Sequence, residues 1–245
     1  MTTTTLVVTA APGPTSFNRA WAQASIDAAR ALGHEVLTSD LYAMGFDPAE
    51  RGAHYGIDGP FDPLKAQAEA PTPPDAAAEA EKVRAADNIL FHFPIWWFSP
   101  PAILKGWTER VLLHGHLHDV PNRFDAGRLR GKVALFCVTG GAQETEVGPG
   151  GKEGRIELLL WPLAYTLRYC GMDIAAPVTA HGVHGYHRGD RKTALEARLA
   201  KLLAAQRDVV AGLPDHPRWA FHPDSDFDET GRLQEGVAPL SPFHG

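Results

Sequence analysis

Asn88-Ile-Leu-Phe-His-Phe-Pro-Ile-Trp-Trp-Phe-Ser-Pro-Pro101 joins a near-continuous apolar run to a loop of consecutive aromatics. The run, Asn88–Phe93, does not alternate apolar with polar residues. A strand of that kind is buried on both faces, as in a parallel sheet covered by helices. The loop that follows, Pro94 to Pro101, carries Trp96, Trp97 and Phe98 in a row. Three such rings cannot all turn inward from one short connection, so some are expected on the surface or over a ligand. The same rings would also serve as a hydrophobic plug or a contact with a second copy.

Upstream, Leu6–Ala10 reads as another buried strand ending at the turn Ala11-Pro-Gly-Pro14. Ser16 stands at a helix N-cap position. Phe17, Trp21, Ala24, Ala28 and Leu32 follow at helical spacing, with Gly33 as the stop. Glu35–Ser39 reads as a strand, residues 43–74 as a surface excursion with little regular structure, and Asp75–Ala86 as a helix. Downstream, Pro100 and Pro101 suit a helix start that runs through Val111. Lys132–Val138 is the next buried strand. A glycine-rich loop, 140–154, leads into a helix from Arg155 to Tyr169, in which Pro162 marks a kink or the true start. Ile174–Thr179 is the last expected strand and Asp190–Ala211 a long amphipathic helix. No regular element is expected after Pro214.

Alternating strands and helices predict an α/β fold: a doubly wound, five-stranded parallel sheet of order 2-1-3-4-5 with helices on both faces. A ligand then binds outside the carboxyl ends of the strands, where three loops meet. The first, Ala11 to Asn18, offers hydroxyls and backbone amides at a helix start, which suits a phosphate or a simple capped turn equally. The second is the aromatic loop. The third, Thr139-Gly140-Gly141, allows close backbone approach. A dinucleotide fingerprint of the G-x-G-x-x-G type is missing.

Bulk properties narrow the class further. The 245 residues suit one domain with a tail, or at most two small domains, and 44% apolar content is enough for a core. A net charge of −6 gives no electrostatic reason to expect nucleic acid or an anionic membrane. Cys137 and Cys170 form no disulfide framework and read as core thiols of a cytoplasmic protein. The N-terminus lacks the features of a signal peptide, and no apolar run is long enough for a membrane helix. The histidine groups 114/116/118 and 181/184/187 have spacings that can chelate, yet the expectation is no metal.

The chain resembles the NAD(P)H:quinone oxidoreductase (DT-diaphorase) family, including the bacterial drug-activity-modulator group. The matching segments are TSFN at 15–18, SDLYAMGFDP at 39–48, AADNILFHFPIWWFSPPAILKGWTERV at 85–111, VTGG at 138–141 and LLLWPLAYTLRYCG at 158–171. The resemblance implies a flavodoxin-like flavin-binding domain over 1–213 and a C-terminal extension, 214–245, packed on the same domain or on a dimer partner. It implies a homodimer with active sites at the interface, hydride transfer from NAD(P)H through the flavin to a quinone, and ping-pong turnover. Thr15, Ser16, Phe17 and Asn18 would hold flavin phosphates. Pro94, Ile95, Trp96, Trp97 and Phe98 would line the isoalloxazine, and Thr139, Gly140 and Gly141 would meet its far edge.

Catalytic roles are expected of the Gly140 and Gly141 amides at the reduced ring, with Lys152 adding positive charge and His116 or, in first place, His118 standing on the substrate side as a proton donor. FAD is favoured over FMN because the chain is long enough to cover an adenosine half. Arg188, Arg191 and Lys192 read first as a solvated face, and otherwise as partners of the adenosine end of FAD or of the phosphate of NADPH. The same chemistry would serve an azo or nitro reductase, and some relatives are ancillary proteins of potassium-efflux systems. Departures are Ala11 where a histidine is common, Trp96 where a polar residue is frequent, and Glu146 and Lys152 near a tyrosine–histidine pair, with a one-residue shift. Two substrate-facing tyrosines correspond only loosely to His118 and Val120.

Overall fold

The computed structural model describes residues 2–241. The strands are β1 (Thr4–Thr9), β2 (Glu35–Asp40), β3 (Asn88–Pro94), β4 (Val133–Thr139), β5 (Asp173–Ile174) and β6 (Val178–Ala180). They pair in parallel in the order β2-β1-β3-β4-β5, with β6 also on β4. The helices are α1 (Phe17–Ala31), α2 (Pro63–Glu69), α3 (Pro74–Ala85), α4 (Ala102–Val111), α5 (Ile156–Tyr169) and α6 (Gly189–Ala211).

The non-alternating strands are buried on both sides, as their composition demands. Leu6, Val8, Ile89, Phe91, Phe93, Phe136 and Val138 pack on one face beneath α3, α4 and α5. Val7, Leu90, Leu135 and Cys137 pack on the other with α1 and α6 residues. Both cysteines are buried and free, and burial pushes each thiol up to about 12. Among the described residues, no helix is long and apolar enough to cross a membrane.

Two expectations need correcting. The last strand is not continuous over 174–179: Pro177 lacks an N–H and interrupts it. The tail fills the break, where Ala176 N–H donates to Pro217 O at 2.8 Å and Trp219 N–H to Ile174 O at 2.8 Å. The 43–74 excursion is also more ordered than expected. It contains a short 3-10 turn (Gly52–Tyr55) and α2, which Asp62 caps and Pro63 begins. Buried Arg110 anchors it by bonding both oxygens of Asp75, at 2.7 and 2.9 Å, and the Asp47 carbonyl, at 2.8 Å. Gly106 makes room for this: a Cβ there would lie 2.1 Å from Pro48 O.

Pro162 sits inside α5 and does not start it. Beyond it, Trp161 stacks near Tyr165 and Trp219, so the described tail lies against α5. A short 3-10 turn, Asp224–Asp226, adds local order where no regular element was expected. The end of the proposed extension, residues 242–245, lies outside the described residues.

A buried polar chain ties α1, β3 and α6 together. Trp21 Nε1 donates to Gln206 Oε1 at 2.6 Å, Gln206 Nε2 donates to Ser25 Oγ at 2.7 Å, and Ser25 Oγ meets His92 Nε2 at 2.9 Å. Burial alone pushes the His92 imidazole down to about 3 from its usual 6.5. Between those values the unfolded chain holds the extra proton, so stability from a neutral His92 is present above pH 6.5 and declines as pH falls toward 3. One group binding one proton contributes a slope of about 1.4 kcal/mol per pH unit. His92→Gln is therefore expected to flatten the pH dependence of unfolding free energy between roughly pH 4 and 6, as measured by denaturant titration. An unchanged slope would contradict the assignment.

Candidate functional site

Three loops leave the carboxyl ends of β1, β3 and β4 side by side, because the strands end in near register. Thr9 pairs with His92, and Pro94 with Thr139. The loops are also bonded to the neighbouring strand ends: Ala10 N–H donates to His92 O at 2.9 Å and Ile95 N–H to Thr139 O at 2.8 Å.

The first loop ends at Ser16, which caps α1 by accepting from Arg19 N–H at 3.3 Å. The first amides of a helix lack intrahelical acceptors, so Phe17 and Asn18 supply donors at an electropositive helix end. Arg19 is not available to an anion. Its Nη1 and Nη2 grip both oxygens of Asp40, and its Nε donates to Ala11 O at 3.0 Å, fixing the loop backbone. Buried Asn18 crosses to the third loop, donating from Nδ2 to Thr139 Oγ1 at 2.8 Å. Its Oδ1 is buried and has no hydrogen-bond partner among the described residues. A buried acceptor left unmade costs about 1–3 kcal/mol, so this oxygen calls for a donor from a bound molecule.

The second loop makes a tight turn. Trp96 N–H donates to Ser99 O at 3.0 Å and Ser99 N–H returns to Trp96 O at 3.1 Å. Between them Trp97 and Phe98 have φ of 49° and 60°. Two positive φ values inside such a pair mark a type I′ turn, which Asn-Gly usually fills. Large aromatics there cost about 1–2 kcal/mol each. Yet Trp97 is 94% exposed and Phe98 54%, so neither ring returns that cost through burial. Strain retained without a packing gain points to function.

The third loop corrects one expectation. The Gly140 N–H already donates to Ala180 O at 2.9 Å, so of the two expected amides only Gly141 remains for a ligand. A Cβ at Gly141 would lie 2.8 Å from His184 Cε1, so a larger residue there would have to displace that imidazole.

Ile95, Trp97, Phe98, Gly140 and Gly141 line one cleft of about 170 Å³, with Glu153 and His181. Burial pushes the His181 imidazole below its usual value, favouring the neutral ring. Lys152 and His118 are not among these residues. Lys152 is exposed and paired with Glu146 at 2.8 Å, which raises the lysine pKa and lowers that of Glu146. His118 lines a different cleft of about 910 Å³ between α4 and α5, with Thr108, Tyr165 and Tyr169. Burial lowers its pKa, against a smaller opposing effect of a hydrogen bond to the Leu112 backbone. Sequence reasoning missed Glu153, although the one-residue shift needed around Lys152 hinted at it. Among the described residues, no three His, Cys, Asp or Glu side chains gather as a metal site.

The flavodoxin-like fold family matches residues 3–205. A ribosyldihydronicotinamide dehydrogenase [quinone] of Pongo abelii is 38% identical over 229 residues, covering 88% of this chain and 96% of that protein. NAD(P)H dehydrogenase [quinone] 1 of Cavia porcellus is 33% identical over 234 residues, covering 91% and 82%. The solved structure of a candidate quinone reductase from Klebsiella pneumoniae superposes with a TM-score of 0.84 at 28% identity, over 97% of this chain and 96% of that one.

The strained turn gives an unusual expectation. Phe98→Gly should leave the ligand-free chain as stable as before, or up to about 1 kcal/mol more stable, since it relieves a left-handed backbone. Truncating a packed phenylalanine would instead cost about 3–5 kcal/mol. Chemical denaturation distinguishes the two, and a loss above about 2 kcal/mol would show that the ring supports the fold.

Proposed function

We infer the activity from a plain premise, that this chain belongs to the flavodoxin-like fold family, and from the build of its ring cleft. It is a quinone-reducing NAD(P)H dehydrogenase. The observation that carries this reading is the exposed, strained Trp97–Phe98 turn that lines one cleft with the Gly140–Gly141 backbone. That arrangement suits a flat ring held by a backbone edge and stacked against aromatics.

The residues present fit a flavin. Asn18 Oδ1 awaits a donor such as a ribityl hydroxyl, and Thr15, Ser16, Phe17 and Asn18 offer hydroxyls and amides for phosphate. Pro94 to Phe98 and Thr139 to Gly141 would hold the isoalloxazine. A flavin held there would supply hydride-transfer chemistry between NAD(P)H and a quinone. The chain orients the ring through the second and third loops. The Gly141 amide supplies a donor to the ring edge where negative charge develops. Lys152 contributes little of its charge there, because Glu146 already offsets it.

FAD is favoured over FMN. The loop after β6 bonds to the third loop, Val183 N–H to Gly140 O at 3.0 Å, and leads to Arg188, Arg191 and Lys192 at the head of α6. Arg188 donates to the Gly185 and His187 carbonyls and Lys192 pairs with Glu196 at 3.6 Å, which leaves Arg191 as the cation that suits the second phosphate and adenosine half. A homodimer is also part of the proposal. A 170 Å³ cleft is smaller than the roughly 300–1,000 Å³ of typical ligand sites, and a second copy would close it. The α4/α5 groove, lined by Leu112, Trp161, Tyr165 and Tyr169, offers an apolar face for that copy, and would bring His118 toward the partner's ring. Buried free thiols suit a reducing cytoplasm.

Steady-state rates of the purified protein with NADH or NADPH and a benzoquinone test this directly. Parallel double-reciprocal lines are expected, with FAD identified by mass after extraction. Intersecting lines would contradict alternate use of one ring face, and a colourless protein that takes up neither flavin would end the reading.

A further inference from the structure

Glu153 carries a carboxylate with no hydrogen-bond or ion-pair partner among the described residues, yet it lines the ring cleft beside Trp97, Phe98, Gly140 and Gly141. The loop that presents it is built tightly. Glu153 N–H donates to Glu146 O at 3.0 Å, and Gly148 N–H donates to Gly154 O at 2.9 Å. Gly151 cannot be replaced without collision, since a Cβ would lie 2.2 Å from Glu146 O. The Lys152–Glu146 ion pair staples the loop from outside. The adjacent cation, Lys152, is ion-paired to Glu146 and acts on Glu153 only through space, and Glu153 lines a partly apolar cleft.

The other ionisable groups around it do not cancel that charge. His181, in the loop after β6, shares the cleft and is held toward its neutral form by burial. Glu144 acts on His181, and Arg198 of α6 is bonded to the His181 carbonyl. His184 lies near Glu146, and the Lys152–Glu146 pair sums to zero. The cleft's own lining is therefore anionic by one charge.

We propose that Glu153 sets acceptor specificity by charge: it admits neutral and cationic planar acceptors and disfavours those bearing a sulfonate or carboxylate. The proposal rests on the quinone-reductase reading of the same cleft. A single charge at several ångströms in a partly desolvated site changes relative affinity about tenfold.

The test uses the flavin-loaded protein with 1,4-naphthoquinone and 1,4-naphthoquinone-2-sulfonate. Dissociation constants for both come from perturbation of the oxidised flavin's absorbance without turnover, and kcat/KM comes from NAD(P)H oxidation. In Glu153→Gln the preference for the neutral quinone should shrink about tenfold, and in Glu153→Lys it should shrink further or reverse. Glu153→Asp should retain it. The intrinsic difference between the two quinones cancels across variants. A preference identical in all four proteins would overturn the assignment, as would a wild-type protein that binds neither quinone. Should wild type bind both but reduce neither, the quinone-reductase reading fails, while the binding ratios still decide the role of Glu153.

Discussion

Pro94 pairs with Thr139 at the carboxyl ends of β3 and β4, and Thr9 pairs with His92 on the other side. This parallel register is the constraint on which the rest depends. Strands buried on both faces need helices above and below, and parallel strands need long crossovers to supply them. Each crossover leaves its strand at the same edge of the sheet. Three loops of unrelated sequence therefore arrive together, and the Asn18–Thr139 hydrogen bond locks two of them.

The same constraint explains what was legible beforehand. The runs at 6–10, 88–93 and 132–138 lack alternation, which set the parallel sheet and its order. The aromatic loop announced itself because three adjacent rings cannot all be buried, and the exposure of Trp97 and Phe98 follows. The split between β5 and β6 was missed because Pro177 was read through and because its compensating partner, Pro217, is 40 residues away. The helix at 63–69 was signalled by Asp62-Pro63, but the surrounding glycines and prolines masked it.

The site was legible at the level of loops and not at the level of atoms. Composition placed Gly140 beside a ligand, yet only the fold shows its amide bonded to Ala180. Lys152 looked like a free cation in sequence, and Glu146 removes that role through a contact six residues back. Glu153 drew no notice, since a carboxylate in a glycine-rich loop is normally solvated. Strain and unpaired atoms, which sequence does not display, carry the strongest functional signals: the left-handed Trp97–Phe98 turn and the orphaned Asn18 Oδ1. Both are costly in the chain by itself, and one flat molecule held by the three loops would account for both.

The central claim is that loops from three strands grip a single flavin. Amide hydrogen exchange on the flavin-free and flavin-loaded protein tests it most directly. Slowed exchange is expected in residues 15–18, 95–99 and 139–142 together, on addition of one flavin per chain. Protection missing from any one of the three segments, or confined to the α4/α5 groove, would contradict it.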